Sequence, residues 1–278
     1  MAPQVFMLIK LLFNPDVSKK LILQMAFQQV KIIGFAKVLS ALLGVAIVGV
    51  SSFIKIPQIQ KIINPKLLEQ RVSVANGLCL GGISLETFNQ LIHVGFNSRN
   101  GNSFVNYGES LLLGIQNAVI ILLIKYYRLR ETNQISDLGQ ADCKETVCEV
   151  AKNLAKPAGI MIGSMLFFSK LAPTELVSLL QVLGIPVSIL AKLPQIKKNR
   201  ELKSTLHLSD ITIRANWLGS FIRVFTSFRD FNEKVTKKRK SSNDLVLLAG
   251  YSAGLIVNSI LVGQSFYYQK IEKEEKED

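Results

Sequence analysis

The chain has 278 residues, 49% of them hydrophobic and 19% charged, with a formal net charge of +13 and a mean hydropathy of +0.30. Soluble domains carry about a quarter charged residues, whereas apolar runs of roughly 18–23 residues recur here between short clusters of charge, the pattern of a polytopic membrane protein. The basic balance comes without zinc-ligand spacing or an aromatic-basic platform, so it points to loops at anionic headgroups and away from nucleic acid.

Residues 1–34 are apolar but broken by Lys10, Asp16, Lys19, Lys20 and Lys31. Asn14-Pro15-Asp16 has the composition of a helix start, so the segment reads as an amphipathic helix lying at the interface. It lacks an early basic region followed by a small-residue cleavage site, so a cleaved signal peptide is not expected. A first span over 38–56 ends in Lys55-Ile56-Pro57-Gln58-Ile59-Gln60-Lys61. A second, 74–96, carries Glu86 in its middle, and a polar turn over 97–102 follows. The third, 104–127, holds Glu109, Gln116 and Asn117 and leaves through the aromatic-basic anchor Lys125-Tyr126-Tyr127-Arg128.

Residues 129–152 lack an apolar run and read as an exposed linker. The fourth span, 157–171, is short and has Gly159 and Gly163 for close packing. The fifth, 176–193, contains Pro186 and ends in Lys192-Leu193-Pro194-Gln195-Ile196-Lys197-Lys198. The sixth, 208–228, carries Arg214 and Arg223, and a basic loop over 234–240 follows. The seventh, 245–268, holds Asn258 and Gln264, and a charged tail closes the chain.

The two Lys-aliphatic-Pro-Gln-Ile heptads lie 137 positions apart (57 to 194) at matching places in two apolar runs. Ser73 and Ser209 are offset by 136, Glu86 and Arg223 by 137, and Asn117 and Asn258 by 141, as are Tyr126-Tyr127 and Tyr267-Tyr268. An all-α chain of seven spans follows, with spans one to three repeated as five to seven. The expected parts are an interfacial segment 1–34, a first three-helix repeat 35–128, a linker and connecting helix 129–174, a second repeat 175–270 and a tail 271–278. One connecting span keeps both halves in the same orientation. Counting Lys and Arg puts the Pro-Gln loops and the C-terminus on the cytoplasmic side.

Proline at a span's end removes a backbone donor and frees a carbonyl, and the adjacent glutamine has amide donors to offer it. Pro57, Gln58, Pro194 and Gln195 therefore read as paired hinges, against the plainer reading of two helix terminators. A mid-membrane charge costs at least about 2.5–3.5 kcal/mol and faces the bundle interior or water. Glu86 and Arg223, each 29 positions past its proline, are expected to face one another across a central cavity, either as a ligand site or as a structural ion pair. A guanidinium there suits a phosphate. Asn117, Asn258, Gln116 and Gln264 are further candidates for that pathway, against the reading that they bridge helices.

Cys79, Cys143 and Cys148 give no disulfide framework. His93 and His207 sit near span ends without a metal constellation. Without a nucleophile triad, phosphate loop or paired-carboxylate site, neither catalysis nor a cofactor or metal is expected.

The duplicated Pro-Gln element in a seven-span chain resembles the PQ-loop family, which includes SWEET sugar transporters, cystinosin and the KDEL receptor. Gly108-Glu109-Ser110-Leu111 with Gln116, Leu179-Leu180-Gln181 with Pro186, Leu218-Gly219-Ser220 followed by Arg223-Val224-Phe225-Thr226-Ser227, and Asn258 with Gln264 are similar to its dolichol-phosphate-sugar utilisation branch. The resemblance covers 38–270 and leaves Glu86 outside it. It implies two three-helix bundles joined by the fourth helix in the endoplasmic reticulum membrane. It also implies a requirement for using dolichol-phosphate-mannose and dolichol-phosphate-glucose in lumenal N-glycan and GPI precursor assembly, with glycosyltransferases as partners. The lipid donor would be flipped or presented. A SWEET-like transporter of a soluble solute and a non-transporting adaptor or receptor are the alternatives.

Overall fold

The computed structural model describes residues 48–102, 104–133, 143–236 and 242–277, with scattered positions between 18 and 46. Contacts divide the chain into Met1–Ala46 and Ile47–Asp278. The interfacial segment expected over 1–34 and most of the first span fall largely outside the described residues. The second unit begins with the end of a helix at 48–51 and a turn over 52–55. Among the described residues, nine α-helices follow: α1 Ile56–Ile63, α2 Leu68–Gly77, α3 Leu80–Arg99, α4 Phe104–Asn133, α5 Cys143–Leu166, α6 Thr174–Leu190, α7 Leu193–Leu202, α8 Asp210–Thr236 and α9 Ser242–Glu277. A π-helical turn, Phe167–Leu171, extends α5.

Three stretches among the described residues have the length and apolarity of a membrane crossing: Tyr107–Glu131, Leu154–Leu171 and Thr174–Leu202. They fall on the third, fourth and fifth expected spans. Helix α3 does not reach that apolarity, because Glu86, Asn89, Gln90, His93 and Asn97 interrupt its 20 residues. Beside its apolar cores, the unit buries many polar side chains and exposes many large apolar ones. Gln58, Gln116, Asn117, Asn199 and Asn258 are buried, while Phe53, Ile115, Leu171, Val182, Leu190 and Phe225 are exposed. An extensive apolar surface of this kind is stable where the surrounding solvent is lipid, and buried side-chain amides there bridge helices.

Several boundaries differ from expectation. Both prolines stand in the first turn of a new helix, α1 or α7, where a missing N–H costs nothing. The expected second span is broken: α2 ends at Gly77, Leu78 is extended (φ −82°, ψ 141°), and α3 starts at Leu80. The linker expected over 129–152 is helical at both ends, since α4 continues to Asn133 and α5 begins at Cys143. Residues 134–142 lie outside the described residues.

Two apolar cores sit along the unit. One joins α1, α2, α4 and α8 through Ile62, Val72, Ala75, Ile120, Ile124 and Ile213. The other joins α3, the π turn and α6 through Ile92, Phe168, Ala172 and Val177. Arg99 ends α3 by donating to the carbonyls of Lys170, at 2.9 Å, and Ala172, capping the π turn. The start of α3 presses on the turn after α6, where a methyl at Gly82 would overlap the carbonyl oxygen of Ala191, whereas Gly81 faces open space. Gly82→Ala is therefore expected to lower stability by about 1–3 kcal/mol. Gly81→Ala should be neutral or raise it by up to about 1 kcal/mol, as Ala is the better helix former. Thermal unfolding of the two variants in detergent checks the contrast.

Candidate functional site

Each heptad places its polar side chains on one short helix, and the two do the same work at the same positions. Gln58 Nε2 donates to the His207 carbonyl at 2.9 Å, and Gln58 Oε1 accepts from the Ser209 N–H at 2.6 Å. Gln195 Nε2 donates to the Gly77 carbonyl at 3.2 Å, and Gln195 Oε1 accepts from the Cys79 N–H at 2.7 Å. Each glutamine thus grips a carbonyl and the amide two residues on, immediately before α8 or α3. The last lysines repeat the pattern: Lys61 Nζ donates to the Leu208 carbonyl at 2.6 Å and Lys198 Nζ to the Leu78 carbonyl at 3.1 Å. The expectation that each glutamine serves its own helix is corrected. Every grip crosses to the other end of the sequence.

The first lysine of each heptad turns inward. Lys55 Nζ meets both oxygens of Glu86 at 3.2 Å and donates to Asn117 Oδ1 at 2.6 Å. Lys192 Nζ donates to Asn258 Oδ1 at 2.7 Å. The asparagines are braced in turn, Asn117 by Gln90 Oε1 at 3.1 Å and Asn258 by Ser220 Oγ. Lys55, Glu86, Asn117, Lys192, Asn216 and Asn258 line a cavity of about 110 Å³.

Glu86 and Arg223 do not face one another. Arg223 forms an ion pair with Glu109 and lies over the Tyr251 ring at 5.8 Å. These three line a second cavity of about 410 Å³ with Asn89, His93 and Gln181. The cause is α2. It makes α3 start 23 residues after Pro57 (57 to 80), whereas α8 starts 16 residues after Pro194 (194 to 210). Glu86 is then six residues into α3 and Arg223 thirteen into α8, a difference of about 10 Å along a helix at 1.5 Å per residue. By helix position the counterparts are Glu86 with Asn216, His93 with Arg223, and Cys79, in place of Ser73, with Ser209.

Gln116 and Gln264 hold backbone. Gln116 accepts from the Lys55 N–H at 2.9 Å and donates to the Ser51 carbonyl at 2.6 Å, closing the helix break ahead of α1. Gln264 donates to the Ile196 carbonyl at 3.0 Å and accepts from Asn199 at 2.9 Å. Sequence reasoning missed Lys55, Lys61, Lys192, Lys198 and Glu109 as partners. The lysines opening and closing both heptads were the available signal.

A model of the PQ loop repeat family matches residues 176–236, the stretch from α6 through α8. No solved structure matches the chain. The apolar helices and this match fit a polytopic helical membrane protein whose 176–236 stretch is similar to a PQ loop repeat. Such a repeat suggests a transporter-like or solute- or lipid-related membrane protein.

Two outcomes follow from the crossed grips. Gln58→Leu or Gln195→Leu leaves a buried carbonyl and amide unpaired, and each is expected to cost about 2–4 kcal/mol in thermal unfolding. His207, in the α7–α8 connection, is 6% exposed, and its imidazole is pulled from 6.5 to about 4 by burial, with Lys198 and Lys61 adding to the effect. Asn199 Oδ1 accepts from Gln195 at 2.8 Å, and both Asn199 Oδ1 and Gln195 Nε2 lie 3.0 Å from His207 Nε2. The unfolded chain binds the proton first. Stability is therefore complete above about pH 6.5 and falls as the pH drops toward 4, by about 3 kcal/mol in all. His207→Gln should flatten that slope.

Proposed function

We propose that the chain is a non-catalytic endoplasmic reticulum membrane protein that flips or presents dolichol-phosphate-mannose and dolichol-phosphate-glucose for lumenal glycosylation, including N-glycan and GPI precursor assembly. Its arrangement in this reading is two parallel three-helix bundles joined by α5, with the Pro-Gln loops and the C-terminus in the cytoplasm and glycosyltransferases as partners. The motif set is similar to that of the mannose-phosphate-dolichol utilisation defect protein.

The observation that carries the reading is the pair of cavities along the unit, one with two lysines around a single glutamate and one with Arg223, Tyr251 and several side-chain amides. Moving a phosphodiester through hydrocarbon unaided costs on the order of ten kcal/mol or more. Fixed cations and amide donors in a lipid-shielded cavity lower that barrier. The amides of Asn89 and Gln181 and the ring of Tyr251 suit a hexose beside the phosphate.

The test uses proteoliposomes of the purified protein and a fluorescent dolichol-phosphate-mannose analogue, timing its exchange between leaflets with free mannose uptake run alongside. The wild type should exchange the lipid faster than protein-free liposomes, without mannose uptake. Arg223→Gln should be at least tenfold slower, since Glu109 is left facing the path alone. Mannose uptake would show a soluble-sugar transporter. Absence of both activities would leave an accessory role and contradict the flipping reading.

A further inference from the structure

The two halves of the inner cavity are built alike except for one side chain. Lys55 has Asn117 and Glu86; Lys192 has Asn258 and, at the place six residues into α8 that matches Glu86, the neutral Asn216. Both asparagines that touch the lysines are held in one orientation by neighbours on α3 or α8. Among the described residues lining the cavity, Glu86 is the one carboxylate set against two lysines, and it is hydrogen-bonded to Lys55. The first half thus carries its own counter-anion, and the second half has an amide in that place.

We propose that the corner formed by Lys192, Asn216 and Asn258 is an anion subsite that takes a phosphate ester, the bound phosphate occupying in the second half the role that Glu86 has in the first. A phosphate oxygen there accepts from the Lys192 ammonium and from the side-chain amide of Asn216, while Asn258, whose Oδ1 accepts from Lys192 and whose amide donates to Ser220 and the Asn216 carbonyl, holds the ammonium in place. The Lys55–Glu86 pair stays intact and keeps the cavity from trapping the anion too tightly. Lys192 is three residues from Gln195 on the same segment, so release of the Gln195 grip on Gly77 and Cys79 also moves the ammonium. This subsite rests on reading the cavity as the headgroup's path, and it assigns the phosphate to Lys192 rather than to Arg223, which Glu109 engages.

The experiment measures binding alone, apart from transport, by thermal shift of the full chain in detergent. The probes are inorganic phosphate, dolichyl phosphate, a short-chain dolichol-phosphate-mannose analogue, neutral dolichol and free mannose. At least one phosphate-bearing probe should stabilise the wild type, with no shift from dolichol or mannose. Lys192→Met and Asn216→Glu should each weaken that probe by about tenfold or more, and Lys192→Arg should retain it. Stabilisation by the lipid phosphates identifies a lipid headgroup; stabilisation by inorganic phosphate alone identifies a soluble phosphate, still at this corner. If no phosphate probe binds, or if folded Asn216→Glu and Lys192→Met bind with wild-type affinity, the subsite is wrong. Either result overturns the subsite whether or not leaflet exchange is observed, just as binding without exchange would contradict flipping while leaving the subsite in place.

Discussion

A helix that breaks in the buried interior of a protein leaves backbone groups cut off from solvent that must find partners inside the fold, and this constraint governs the unit from Ile47 onward. The breaks ahead of α3 and α8 each present a carbonyl and an amide two residues apart. A glutamine side chain carries one donor and one acceptor on a single planar group, so it satisfies both at once. Gln58 does this for residues 207 and 209, and Gln195 for 77 and 79. Because each grip reaches across the sequence, backbone repair and the joining of distant segments are one interaction. Glycine at 77 follows from the same crowding: a methyl there would overlap the His207 ring.

The lysines extend this logic to electrostatics. Lys61 and Lys198 direct their charge to carbonyl oxygens at the breaks, while Lys55 and Lys192 carry theirs into the cavity. The proline fixes where the short helix begins, and the spacing within the heptad then sets one lysine inward and one across. The glutamine grips and the cavity lysines are therefore carried by one short element in each half. The outer cavity has a different balance, with Arg223 neutralised by Glu109 beside the Tyr251 ring.

Much of this was legible in the sequence. Apolar runs located α4, α5 and α6, and the repeated heptad marked the breaks ahead of α1 and α7. Asn117 and Asn258, paired by their offset of 141 positions, occupy matching roles beside the two lysines. The pairing of Glu86 with Arg223 failed because constant sequence offset was equated with constant depth. With helix α2 in the way, α3 starts seven residues later after its proline than α8 does, which moves side chains by two helical turns. The crossed partners were not legible either, since a glutamine's side chain does not record which backbone it will meet. Gln116 and Gln264 show the same limit: buried amides in apolar runs suit a ligand path and a helix brace equally well, and here they brace.

Hydrogen exchange read by mass spectrometry tests the crossed grips most directly, comparing the wild type with Gln58→Leu and Gln195→Leu. Gln58→Leu is expected to accelerate exchange in peptides covering 207–210, and Gln195→Leu in those covering 77–80. Each substitution would then act most strongly on a segment well over a hundred residues away in sequence. Acceleration confined to the peptides around the substituted glutamine, with 207–210 and 77–80 unchanged, would contradict the crossed grips.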